Sequence, residues 1–292
     1  MKFLIVGLLV SVSALCLPVS LAAHPGGGLI ALDANTVIFA DPMNNVVWRI
    51  EKGKKSHPLM KGIHPHWVTR GIDGHIYAEG FGEIGGALFR IDLVGTKHTR
   101  VAEESDLNAH VFAVGKQGEF IFQKGAQLME RASDGTLRRF RKGGEVAKGE
   151  PALQQVIAYQ WADDGTLYLS DAGNLRRVGN DGVIRFVGRV EGKLIEPKIW
   201  NSIDAPRIWS IAIDDRKRIY TALPDIGQVV RIDADGSQHV IDRGTAGWRV
   251  TAVAVFGDSI FLLESSDRTN DNQRVRVIRG SEQATLFGKV EM

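Results

Sequence analysis

The sequence predicts an all-β chain folded as a six-bladed β-propeller with four antiparallel strands per blade. Three observations predict it: a strand-turn-strand phrase that recurs six times, an arginine-bearing run that follows each phrase in step, and Asp-Gly pairs set between alternating segments.

The phrase is a polar turn, then a short β-branched or aromatic run, then a small or acidic residue. It stands at Asp33 to Asp41, Asp73 to Glu79, Gln117 to Gln123, Asp164 to Asp171, Arg216 to Ala222 and Gly257 to Glu264. The runs that follow are Val47-Trp48-Arg49-Ile50, Leu88-Phe89-Arg90-Ile91, Met129-Glu130-Arg131, Arg176-Arg177-Val178, Val230-Arg231-Ile232 and Val275-Arg276-Val277. From Arg49 to Arg276 the repeat averages about 45 residues, the length of a four-stranded blade. A first strand is legible before the turn, as in His66 to Ile72, and a fourth after it, as in Thr96 to Val101. Asp73-Gly74, Asp134-Gly135, Asp164-Gly165, Asp181-Gly182 and Asp235-Gly236 supply turns that tolerate positive φ. One such blade cannot bury both faces, so blades must stack and the ring must close. Residues 24–292 are therefore expected to form a single propeller domain. No helical periodicity or linker interrupts them; Val190 to Pro206 reads as a longer inter-blade loop, and Gly26-Gly27-Gly28 as a flexible lead into the first blade.

Residues 1–23 read as a signal peptide: Met1-Lys2, an apolar run from Phe3 to Leu17, then small residues at Ser20 and Ala22, with cleavage expected near Ala22 or Ala23. The apolar stretch is shorter than the roughly 20 residues of a membrane span. A secreted or periplasmic protein follows as the expectation. Cys16, the only cysteine, falls in the segment to be removed, so the mature domain is expected to hold neither a disulfide nor a thiolate. A formal net charge of +2 gives no field to draw nucleic acid or an anionic membrane. The cluster Arg138-Arg139-Phe140-Arg141-Lys142 reads as a solvated strand edge, and the chain is expected to be a monomer.

Stretches such as Asp164 to Asn174 and Pro206 to Asp214 resemble the NHL repeat, and the resemblance runs in degenerate form over roughly residues 26 to 288. It implies a six-bladed propeller related to the gluconolactonase and strictosidine-synthase-like proteins, and it implies no particular activity, because propellers host enzymes, binding modules and scaffolds. Two enzyme branches can be compared. The calcium-dependent gluconolactonase type holds its ion with asparagines and carboxylates, but the equivalent inner strand, Arg207 to Ala212, has no asparagine. The peptide-amidating lyase holds a catalytic zinc with axial histidines; here His66 and His110 each lie eight residues before a turn glycine, Gly74 and Gly118. That spacing makes His66 and His110 the candidate metal ligands for zinc or calcium, with His64 or a carboxylate as a third. Satisfied or solvent-facing histidines are the alternative.

Two sets of loops should converge on the ring axis. Those leading into the inner strands carry His64, His66, His110, Gln160, Arg207 and Arg249, with Trp67, Trp161, Trp209 and Trp248 beside them. Those leaving the second strands carry Asp41, Glu79, Asp171, Asp225 and Glu264, with Gln123 in the third unit. Acids near aromatic platforms and cations suit a polar small molecule, a peptide or a protein partner. The alternative reading is architectural, with tryptophans wedged between blades and acids capping backbone amides. The candidate binding set is His64, His66, Trp67, Glu79, His110, Trp161, Asp171, Arg207, Trp209 and Arg249. The recurring arginines are expected against outer-blade surfaces. No nucleophile elbow, phosphate-binding glycine loop or His-Glu-x-x-His motif is present. The expected function is ligand or partner binding without catalysis; the alternative is a metal-dependent hydrolase or lyase on the same face.

Overall fold

The computed structural model describes residues 27–82, 85–93, 97–103, 111–190, 207–266 and 272–288. The signal-peptide assignment, His110 and nearly all of the expected loop from Val190 to Pro206 lie outside them.

Six four-stranded antiparallel sheets are present, each made of four consecutive strands in sequence order. We number them blades 1 to 6, spanning 29–61, 64–103, 113–139, 156–189, 210–242 and 248–288. The first strands of successive blades touch one another all the way round, which makes them innermost, and those of blades 6 and 1 touch as well. Fourth strands face solvent, as the exposed Leu137–Arg139 and the exposed Gln238, His239 and Val240 illustrate. The only helical turns among the described residues are two short 3-10 segments, Phe140–Lys142 and Pro224–Ile226. None of the described helices is long and apolar enough to cross a membrane.

Local chemistry makes the hairpins. At Asp73, Asp134, Asp164, Asp181 and Asp235 a carboxylate oxygen accepts the N–H two residues on, and the glycine that follows takes φ between +74° and +85°. That backbone hydrogen bond holds the Asp134 carboxyl below its usual range, and at Asp164 it brings the carboxyl down to about 2. In blade 5 the turn lacks glycine and Lys217 adopts φ +60° itself.

Alternation then sorts each strand between its two neighbours. In blade 1, Val37 and Phe39 of the second strand pack toward blade 6, whereas Ile38 and Ala40 pack toward blade 2. No strand is exchanged between the first and last sheets among the described residues, so side chains close the ring. Phe287 of blade 6 lies 5.4 Å from Phe39 and 6.4 Å from Trp48, ring centre to ring centre.

The glycines before the first blade differ from the expectation of a flexible lead. Gly27 and Gly28 are buried; the Gly27 N–H donates to His66 O at 2.8 Å, and the pair runs alongside the inner strand of blade 2. Gly28 has φ +95°, and a Cβ there would fall 2.2 Å from Val68 O. The Gly28→Ala variant is therefore expected to lose about 1–3 kcal/mol, read as a lower denaturation midpoint with an unchanged slope.

Candidate functional site

Because the first two strands of each blade form a hairpin, the first begins and the second ends at one rim of the ring, here called the top face. His64 and His66 open the first strand of blade 2 (His64–Arg70), and Glu79 lies near the end of its second strand (Ile76–Gly82). A bulge between Pro65 and Trp67 lets His64 and His66 meet, their rings edge to face at 4.8 Å. Glu79 is fully buried, and its two carboxylate oxygens lie 3.3 and 3.2 Å from His66 Nδ1. A buried carboxylate at that nitrogen places the proton on Nδ1 and turns Nε2 into the acceptor. Phe81 stacks edge-on against His66 at 5.0 Å, and Asn45 Oδ1 lies 3.2 Å from His64 Nδ1. Burial, and then the repulsion that a positive charge on His66 would exert, push the His64 pKa down.

Across the ring, Arg207 and Trp209 precede the first strand of blade 5 (Ser210–Ile213). Arg207 is clamped by Asp225: Nε donates to Oδ2 at 3.0 Å, Nη2 to Oδ1 at 3.1 Å and the backbone N–H to Oδ2 at 3.1 Å. Its guanidinium lies 5.8 Å from the centre of the Trp209 ring. Arg249 is the second residue of the first strand of blade 6 (Trp248–Phe256) and also stands at the top. Trp67 lies lower and turns inward. It is buried in one apolar cluster with Ala158 of blade 4 and Ile208 and Ile211 of blade 5, which the middle of the ring joins. Gly27 leaves room for it, since a Cβ there would fall 2.3 Å from the indole.

Three placements need correction. Trp161 is the last residue of the first strand of blade 4 (Val156–Trp161), so it sits at the bottom face with Gln160 beside it. There its Nε1 donates to Val114 O at 2.9 Å, and Arg141 covers its ring at 5.4 Å. That same Arg141 donates to Gly165 O and Gly179 O, so the basic cluster is a solvated edge at Arg138 and Arg139 but an anchor at Phe140 and Arg141. The arginines of the third strands also divide. Arg90 and Arg177 are exposed, whereas Arg176 and Arg276 are buried in ion pairs.

The acids that end the second strands hold the scaffold. Asp41 accepts Trp48 Nε1 at 3.0 Å and both nitrogens of Asn44. Asp171 accepts the N–H groups of Gln154 and Gln155 and Arg176 Nε. Glu264 accepts Nε of Arg274 at 2.6 Å and two bonds from Arg276, which also donates to Asp242. Gln123, the amide in this series, accepts Val156 N–H and donates to Gln154 O, tying blade 3 to blade 4. Among the described residues no three His, Cys, Asp or Glu side chains converge as metal ligands. His64, His66 and Glu79 offer a histidine pair with an orienting carboxylate, and the predicted ligand His110 lies outside the described residues. Sequence reasoning passed over Phe81, Asn45, Ser265 and Gln273 at this face. Position alone could have found Phe81 and Ser265, which follow the terminal acids Glu79 and Glu264.

No family model matches the chain. No curated protein matches it either. Solved structures do. A virginiamycin B lyase from Staphylococcus aureus is 14% identical, with a TM-score of 0.53 over 89% of this chain and 83% of that one. A gluconolactonase from Xanthomonas campestris is 13% identical, with a TM-score of 0.56 over 82% and 83%. A chain of a nidogen/laminin complex is 14% identical, with a TM-score of 0.59 over 86% and 92%. At such identities the likeness is one of fold, a six-bladed propeller, and it joins enzymes and binding proteins alike.

Proposed function

We propose that this chain is an exported propeller, residues 1–23 being a leader and 24–292 the domain, that binds a small molecule, a peptide or a protein partner across the axis of its top face without catalysing a reaction. One observation carries the reading. Partly exposed polar and aromatic side chains reach that face from blade 2, with His64, His66 and Phe81, and from blade 5, with Arg207 and Trp209. Blades 2 and 5 stand opposite in a ring of six, and the carboxylates of Glu79 and Asp225 hold both groups in place. Side chains fixed in advance lose little freedom on binding, which is how a rigid ring gains affinity. The terminal acids Asp41, Asp171 and Glu264 are consumed by internal partners, which supports binding over acid-base chemistry.

A metal-dependent hydrolase or lyase on the same face is the second reading, and the His66–Glu79 contact favours it. A carboxylate at Nδ1 orients Nε2 toward a metal ion or a transferable proton. Zinc or calcium would then be held by His66 with His110. The two readings part on purified protein. For the binding reading, the expected result is metal-free wild type that captures a partner from the secreted fraction, with retention falling about tenfold or more in His66→Ala and in Arg207→Gln. Stoichiometric zinc or calcium that disappears in His66→Ala would overturn it. Capture that survives both substitutions would move the partner to the side or bottom of the ring.

A further inference from the structure

A cavity of about 390 Å³ opens at the bottom of blade 3, far from the histidine pair. That volume falls within the roughly 300–1,000 Å³ of small-molecule sites. Lys116 and Glu119 reach it from the turn between the first and second strands (Ala113–Val114 and Phe120–Lys124). Glu130 and Arg138 reach it from opposite positions on the third and fourth strands (Gln127–Arg131 and Leu137–Arg139). Arg139, and then Arg141 and Lys142 of the 3-10 turn, complete the wall. Glu130 lies on the same side of its strand as Leu128, which packs with Leu167 and Leu169 of blade 4, so the cavity faces the seam between blades 3 and 4.

The charges in this wall do not cancel. Glu130 pairs with Arg138, and Arg139 turns to Glu145, which stands outside the cavity. Lys116, Arg141 and Lys142 form no ion pair among the described residues, and Glu119 is the one acid left against them. Arg141 is half-buried. Its Nη1 and Nη2 donate to Gly179 O at 2.9 Å and Gly165 O at 2.8 Å, and its guanidinium lies 5.0 Å from the Phe140 ring centre, so it is held in place with its charge uncompensated. Burial pushes its pKa down, as taking a cation out of water must.

The backbone supplies an independent observation. Arg141 and Lys142 both sit in the left-handed region, at φ +50° and +60°, which favours glycine. Two residues on, Gly144 takes φ +65°. A connection that required only this shape would carry glycine at Lys142 as well, because that side chain is exposed and bonds to nothing in the protein. Strain is retained here where it delivers positive charge to the cavity.

We propose that this cavity binds the phosphate monoester of a sugar-sized polyol. A monoester carries a charge between about −1.5 and −2 at neutral pH, the complement of three cations set against one acid. The phosphate oxygens accept from Lys116, Lys142 and Arg141. The hydroxyl groups donate to Glu119, one of whose oxygens already takes the Gln117 N–H, and to the Glu130 oxygen that Arg138 Nε leaves open.

The test titrates glucose 6-phosphate, glucose 6-sulfate, inorganic phosphate and glucose into the full mature chain by calorimetry at matched ionic strength. Glucose 6-phosphate is expected to bind, the sulfate and inorganic phosphate about tenfold more weakly or less, and glucose not at all. Lys116→Gln and Lys142→Gly should each weaken glucose 6-phosphate about tenfold. Lys142→Gly should also keep or raise the thermal midpoint of the unliganded protein, since glycine adopts φ +60° without strain. His66→Ala should leave this titration unchanged. No response to glucose 6-phosphate, or a response retained in both lysine variants, would overturn the site. Equal binding of the sulfate would overturn the choice of phosphate, and equal binding of inorganic phosphate would overturn the role of the two acids. Loss of the response in His66→Ala would move the phosphate to the top face and overturn the proposal.

Discussion

Asp171→Ala is expected to destabilise the protein by roughly 3–5 kcal/mol, the range for stripping one partner from a buried ion pair. Asp171 is fully buried, and its two oxygens divide the work. Oδ1 accepts the N–H groups of Gln154 and Gln155 at 2.7 and 2.9 Å, and Oδ2 accepts Arg176 Nε at 2.8 Å. Arg176 is 1% exposed, with Nη2 donating to Pro151 O at 2.9 Å and the Glu150 carboxylate 3.5 Å from Nη1. Alanine would leave a buried guanidinium facing an emptied site and two backbone donors unpaired. Arg176→Met removes the cation instead and leaves the acid two amide partners, so its loss should be smaller. The double variant should recover part of the deficit, a coupling that a denaturant double-mutant cycle measures directly. The result also bears on function. A carboxylate kept to bind a ligand usually costs stability, and its removal then leaves the midpoint level or higher. A level midpoint in Asp171→Ala would return this acid to the binding site and reopen the catalytic reading.

How far the sequence could be read depended on whether a residue's partner lies nearby along the chain. The turn aspartates bond two residues ahead, so Asp-Gly pairs announced their hairpins correctly. The terminal acids were visible as a period, but their roles depend on third-strand residues such as Trp48, Arg176 and Arg274, and only pairing brings those alongside. A one-residue slip in that period matters, because alternating residues face opposite neighbours. Arg49 reaches forward to Leu93 O of blade 2, whereas Arg276 reaches back to Asp242 of blade 5 and is buried there. Trp161 was assigned to the wrong rim although the signal was present. It precedes its turn glycine, Gly165, by four residues, whereas His66 precedes Gly74 by eight, and the equivalent offset points to Ile157. The cavity beneath blade 3 could not be read from sequence, because the ion pairs that leave Lys116, Arg141 and Lys142 without a carboxylate are settled only by the fold.

Trp67→Ala is the second large effect, expected to cost about 3–5 kcal/mol as a large side chain is deleted from a packed interior. The indole is 7% exposed and shares a cluster with residues of blades 4 and 5, so it holds the ring together through its centre rather than at a seam. No single blade can collapse into the space it leaves, because each is fixed by its own sheet. Trp67→Phe should lose much less: Trp67 Nε1 has no hydrogen-bond partner among the described residues, so phenylalanine forfeits volume and no bond. A companion change sharpens the attribution. Gly27→Ala pushes a methyl group into the same indole from the other side, so it should destabilise wild type more than it destabilises Trp67→Ala, where the obstacle is gone. The strand pairing also sets Trp67 opposite Glu79, the residue that orients His66. Loss of the indole should therefore loosen the histidine pair and weaken partner capture even at temperatures where the variant is fully folded. If capture falls while the denaturation midpoint stays level, Trp67 touches the ligand and does not pin the ring, and the floor of the top-face site lies deeper than the histidines.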